Sequence, residues 1–207
     1  MARSPLTAQP SERSIFLNVP FDARYEPLFV GLVAAVTALG RIPRCVLEIQ
    51  SSKDRLKRIL SLMSTCRVSI HDLSRVQRSR PGLLPRFNMP FELGVAVAFS
   101  HLDLKHEFFI FEEKRFRLLT TLSDLSGYDA EIHGGTAEGI LGAVMNCLGR
   151  RGRPLPADAL LRHAKDVARA ARKLKRSHLT HTLFARETFL ALATASAENA
   201  KQAGLIE

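Results

Sequence analysis

The sequence predicts an α/β fold built on a parallel sheet with helices on both faces. Two observations carry that expectation. Strand-length apolar runs alternate with segments of helical spacing five times between Ser14 and Gly149. The strand-like runs, such as SIFLNV and EFFIF, also have near-continuous apolar centres, the pattern of strands buried on both sides. The chain has 207 residues, 46% hydrophobic and 24% charged, enough apolar material for one domain of ordinary size plus an extension.

Taken in order, residues 1–13 lack an apolar signal core and read as a disordered leader. Ser14–Pro20 is a buried strand, followed by a loop and a helix over Tyr25–Leu39 that Gly40 stops. Ile42–Ile49 is the second strand, and Pro43 sends it to an edge. Ser52–Cys66 carries Leu56, Ile59, Leu60 and Met63 at helical spacing. Arg67–His71 is the third strand. A basic, turn-rich loop, Leu73–Phe87, follows it. Asn88 is a good N-cap for a helix running to about His101, with Pro90 tolerated near its start and Glu92 in its first turn. Glu107–Phe111 and Tyr128–Ile132 supply the fourth and fifth strands, with a short helix expected over Arg115–Leu125 between them. Thr136–Leu148 is a helix ended by Gly149. Right-handed crossovers and the short length favour a flavodoxin-like strand order, 2-1-3-4-5, for residues 14–149.

Residues 150–207 differ in composition. They are Ala-rich and basic, and 157–176 and 180–203 read as a helical hairpin. Of the formal net charge of +10, Arg150–Arg176 accounts for +8, with ten Lys or Arg against two Asp. The balance points to anionic partners. Nucleic acid is the weaker of these, because the basic block has no aromatic residue to stack on bases. The hairpin is expected to pack on the sheet domain or to pair with a second copy in a homo-oligomer. No run reaches the about 20 apolar residues that cross a bilayer, so no membrane is expected. Cys45, Cys66 and Cys147 show no metal-ligand spacing, which fits a reducing cytoplasm and no metal.

Ligands of such sheets bind beyond the carboxyl ends of the strands, at the switch point between the first and third. The loops meeting there carry Asn18, Pro20 and Phe21, then Asp72, then Asn88, Met89 and Glu92. A carboxylate held ionised at a helix start suits a nucleophile, or a stabiliser of an oxocarbenium ion. Asp72, at a strand end, suits a hydrogen bond to a leaving base or to sugar hydroxyls, or proton transfer. Phe21 suits stacking on a nucleobase, and Arg86 in the basic loop suits gripping a phosphate. His71 points away from Asp72, because side chains alternate along a strand, and reads as a core or interface residue. His133, after the fifth strand, is a minor candidate for the same crevice.

IFLNVPF resembles the opening of the nucleoside 2-deoxyribosyltransferases, where a strand ends in a Pro-Phe loop. HDLS resembles their strand-three Asp followed by Ser, and FELGVAVA their Glu-Leu-Gly-x-Ala segment. Nucleotide N-glycosidases of the same superfamily share these parts, and TIR domains are more distantly similar. The resemblance covers about residues 14–148. It implies a Glu92 nucleophile at the anomeric carbon, Asp72 as its partner on the base or sugar side, and Phe21 in the base pocket. It also implies a nucleotide or NAD as ligand, NAD as a substrate rather than a cofactor, and cleavage or transfer of the N-glycosidic bond. The alternative is a nucleotide-sensing TIR-like module that assembles through its C-terminal helices without turnover. Asn18-Val19 stands where the transferases have a small residue and Gly, and Pro90 precedes the Glu where they have a Gly-Thr-type approach.

Overall fold

The computed structural model describes residues 10–49, 54–76, 87–102, 105–115, 122–125, 127–149, 154–178 and 181–207. It contains a five-stranded parallel sheet in the order β2-β1-β3-β4-β5. The strands are β1 (Ser11–Asn18), β2 (Ile42–Cys45), β3 (Cys66–Asp72), β4 (Glu107–Glu112) and β5 (Ala130–Ile132). Pro43 does lie on an edge strand, the place in a sheet where a missing N–H is best tolerated. The helices are α1 (Glu26–Ala38), α2 (Arg55–Ser64), α3 (Asn88–His101), α4 (Ala137–Leu148), α5 (Ala157–Ser177) and α6 (Arg186–Gln202). Of the helix expected over Arg115–Leu125, the described residues hold only a 3-10 turn at Ser123–Leu125.

The contacts divide the chain into two compact units, and the dividing lines are not at residue 149. The first comprises residues up to Pro20 with Arg44–Gly134, and the second Phe21–Pro43 with Gly135–Glu207.

In the first unit β3 is the central strand, because its five residues Val68–Asp72 pair with β4 and its apolar residues are almost fully buried. β1 begins earlier than its apolar run: the Ser11 N–H donates to the Thr65 carbonyl at 2.9 Å, although only the residues from Ser14 on are buried. Asn18 lies opposite His71, and His71 opposite Ile110. Neighbours across a parallel pair share a face, so Asn18, His71, Ser69 and Ile110 look one way and Asp72 the other. α3 covers the first of these faces: its Met89 and Leu93 form a buried cluster with Leu73 and Ile110.

In the second unit α1 is the core element. Every residue from Leu28 to Ala38 is buried, because α4, α5 and α6 all pack on it. The Asp22 carboxylate accepts the Arg24 and Tyr25 N–H groups at 3.0 and 3.1 Å and so shapes the turn into α1. The Thr136 hydroxyl accepts the Gly139 N–H at 3.0 Å and caps α4. His163 of α5 places Nε2 3.1 Å from the Ala34 carbonyl and Nδ1 2.6 Å from Asn199 Oδ1 of α6. Thr37 of α1 meets Ser196 of α6 at 2.6 Å. The expected hairpin helices therefore exist, with their buried stripes committed to α1.

The α1–α4 approach is close enough to test. A Cβ on Gly31 would lie 3.3 Å from both Cβ and the carbonyl oxygen of Ala137. Gly31→Val should destabilise the protein by about 1–3 kcal/mol through overpacking. An unchanged urea midpoint in this variant would show that the two helices are further apart.

Candidate active site at the start of α3

Glu92 occupies a position that the helix period assigns to the core. Met89, Leu93, Ala96 and Phe99 are the other buried residues of α3, so the carboxyl stands within its inward stripe. The helix begins one residue earlier than expected. Phe87 holds the N-cap position without a side-chain cap, Asn88 is the first helical residue and exposed, and Glu92 falls in the second turn. The helix dipole acts within the first turn, so it is not what sets the charge on Glu92. Burial sets it, raising the pKa from 4.5 to about 7 against the weaker opposing pull of Arg55.

Among the described residues no hydrogen bond or ion pair holds the Glu92 carboxyl. No buried side-chain oxygen there lacks a partner, so the Glu92 oxygens reach solvent although the residue is only 9% exposed. A carboxyl that is desolvated, near neutrality at physiological pH and still open to water suits proton transfer or nucleophilic attack. The Glu92 charge is felt by Cys45 at the end of β2 and feels that of Arg55 at the start of α2. The carboxyl thus belongs to the β2 side of this unit.

Asp72 does not join it. The strand alternation aims Asp72 at the face opposite α3, and its two oxygens have partners there. Oδ1 accepts the Ser74 N–H at 2.8 Å, and Oδ2 lies 3.1 Å from His133 Nε2. The Ser74 hydroxyl meets the same Nε2 at 2.9 Å. Ser, His and Asp are together here, but both contacts fall on one ring nitrogen. A catalytic triad instead uses the two nitrogens for different partners. Asp72, Ser74 and His133 are all buried, so the cluster clamps the loops after β3 and β5.

The other sequence candidates are placed as follows. Asn18 is 4% exposed, and its amide donates to the Met89 carbonyl and to His71 Nδ1, each at 2.9 Å. Pro20 is buried. The Phe21 ring packs on Phe29 and Phe184, with centroids 6.1 and 5.6 Å apart, in the second unit. Met89 contributes its side chain to the core under α3. Arg86 lies outside the described residues. The exposed aromatic side chains at the start of α3 are Phe87 and Phe91, one helical turn apart.

Sequence reading missed Arg55 and the polar chain beneath α3. His71 Nε2 lies 2.8 Å from the Ser69 hydroxyl, which lies 2.8 Å from His106 Nε2, while His106 Nδ1 meets the Cys66 carbonyl at 3.0 Å. Burial, with His106 nearby, holds the His71 pKa down at about 3, and burial lowers that of His106. The signal was present: Ser69 and His71 are polar residues at period two in β3, and His71 is in register with Asn18.

The described residues contain no group of three His, Cys, Asp or Glu arranged to hold a metal ion, and no helix long and apolar enough to cross a membrane. The fold and site define a flavodoxin-like α/β protein with an acidic group buried under the helix that follows the central strand. Comparison of the chain with protein-family models, curated proteins and solved structures found no match.

Proposed function

We propose that the protein cleaves or transfers the N-glycosidic bond of a nucleotide or of NAD, with Glu92 as the reacting carboxyl. The observation that carries this reading is the Glu92 side chain itself, placed in a core stripe, open to solvent and raised to a pKa of about 7 by burial. Its ionised form attacks the anomeric carbon. A Glu92–sugar ester forms as the carbon–nitrogen bond breaks, and the electron pair leaves with the base. Nicotinamide leaves without a proton because its ring nitrogen is already cationic, whereas a purine needs one. Water or a second base then takes the sugar. Phe87 and Phe91 offer ring faces for the base, and Asp72 fixes the loop after β3 rather than touching the sugar. Incubation with NAD and a panel of nucleotides and deoxynucleotides tests the reading. Glu92→Gln should cut product formation on the order of 10²–10⁴-fold, and equal rates in the two proteins would remove Glu92 from the reaction.

A second reading concerns α5. Its buried stripe is Leu160, His163, Val167 and Ala171. Its outer face exposes Arg162, Lys165, Arg169, Arg172, Lys173 and Arg176. Arg162 and Arg169 are paired with Asp158 and Asp166. This face suits a polyanion such as duplex nucleic acid, held through its phosphates. Removing the hairpin would strip α1 of its packing, so charge reversal is the cleaner test. Lys165→Glu, Arg172→Glu and Lys173→Glu together should abolish retention on duplex DNA at low salt. Undiminished retention would exclude this face.

A further inference from the structure

Beneath α3 the side-chain hydrogen bonds run head to tail between two backbone carbonyls. Met89 O stands at one end and Cys66 O at the other, joined through Asn18, His71, Ser69 and His106. A carbonyl only accepts, and that fixes every proton between the ends. His106 donates from Nδ1 to Cys66, so its Nε2 accepts from the Ser69 hydroxyl. The Ser69 oxygen then accepts from His71 Nε2–H. His71 Nδ1 accepts one amide hydrogen of Asn18, and the other goes to Met89. Every donor and acceptor on this path has a partner, with both rings neutral. A proton added to His71 would set its Nδ1–H against the Asn18 amide, and one added to His106 would leave the Ser69 hydroxyl hydrogen without its acceptor. The strand positions that build this chain are Asn18, Ser69 and His71, all on the face that α3 covers.

We propose that this one-way chain sets the first turn of α3 through the Met89 carbonyl, making Asn18 and His71 positioning residues for Glu92 rather than ligand contacts. The catalytic part of that statement rests on the reading of Glu92 as the reacting group; the chain itself does not. Met89 and Glu92 lie three residues apart on one helix face, so a shift of the Met89 peptide moves the Glu92 carboxyl relative to solvent.

The test uses the full-length protein labelled with ¹⁵N, and long-range spectra of the imidazole rings. His71 should carry its proton on Nε2 and His106 on Nδ1; His71 should not titrate between pH 8 and 5, and His106 should titrate below the ordinary histidine value. A proton on Nδ1 of His71, or either ring titrating near its ordinary value, overturns the chain. Asn18→Asp is nearly isosteric, but its carboxylate accepts without donating. The chain must then reverse: His71 is expected to move its proton to Nδ1, and His106 to lose its donor. Asn18→Leu removes the Met89 hydrogen bond without adding a charge, so in that variant the Glu92 midpoint, read from its side-chain ¹³C, should fall by about one pH unit or more as water reaches the carboxyl. An unmoved midpoint overturns the positioning role. If Asn18→Asp does not fold, Ser69→Ala cuts the chain in its middle while Ser69→Thr keeps the hydroxyl. Both tautomers stay pinned from the carbonyl ends in either variant, but the Ala variant should lose the hydrogen-bond shifts of His106 Nε2 and His71 Nε2, and the Thr variant retain them; identical shifts in both contradict the chain. No substrate enters these readouts, so they succeed or fail independently of the product assay with Glu92→Gln.

Discussion

Lowering the pH from 7 to 4 is expected to destabilise the wild-type protein far more than a His71→Asn variant. The His71 pKa is about 3 in the folded state and 6.5 in the open chain. Between those values the unfolded chain binds the extra proton. Stability is therefore present in full above pH 6.5, declines as pH falls, and stops declining below about pH 3. Each pH unit in that window removes about 1.4 kcal/mol, and the whole of it on the order of 5 kcal/mol. His106 acts with the same sign, since burial lowers its pKa too. Burial is the cause in physical terms: the chain Asn18–His71–Ser69 offers acceptors and donors for a neutral ring only. Urea midpoints of the two proteins across this range read the difference. Parallel curves would mean that His71 takes up its proton in the folded state without cost.

Glu92 has the opposite dependence. Its folded pKa of about 7 exceeds the 4.5 of an open chain. The stability linked to it is full below pH 4.5 and is lost as pH rises through 7. Ionising this carboxyl in the folded state costs on the order of 3 kcal/mol. Glu92→Gln should thus be more stable than wild type at pH 8 by about that amount, with the advantage gone by pH 4. A substitution that raises stability while abolishing turnover marks a residue kept for function. If the ionised form is the nucleophile, kcat/KM for NAD or a nucleotide rises with pH through about 7. A profile that falls over that range would assign Glu92 to donating a proton instead. Equal stability of the two proteins at pH 8 would show that the carboxylate is already solvated.

The strand order was legible because the apolar runs are short, regularly spaced and separated by helical periods, and because Pro43 marked an edge. Glu92 stood out in the sequence because a carboxylate interrupts an apolar helix. Its environment was not legible, since the start of α3 lies at Asn88 rather than after it, and one residue of offset moves Glu92 out of the first turn. The pairing of Asp72 with Glu92 was the main error of geometry. The parity rule that turned His71 away from Asp72 applies equally to the helix: α3 sits on the His71 face, so Asp72 looks elsewhere and meets His133. The packing of Phe21 was not legible in detail, because its partner Phe184 is far away in sequence and no local pattern announces such a cluster. The domain boundary near residue 149 followed composition, whereas the contacts group α1 and α4 with the basic helix α5 and with α6. Burial of α1 on all sides is what a mean apolar composition cannot reveal about its partners.

Direct titration of the Glu92 carboxyl by ¹³C spectroscopy, from pH 4 to 9, bears most closely on the role given to this residue. A midpoint near 7, absent from the spectrum of Glu92→Gln, is the expected result. A midpoint near the 4.5 of an ordinary glutamate would contradict it, leaving a surface charge where a reacting group has been placed.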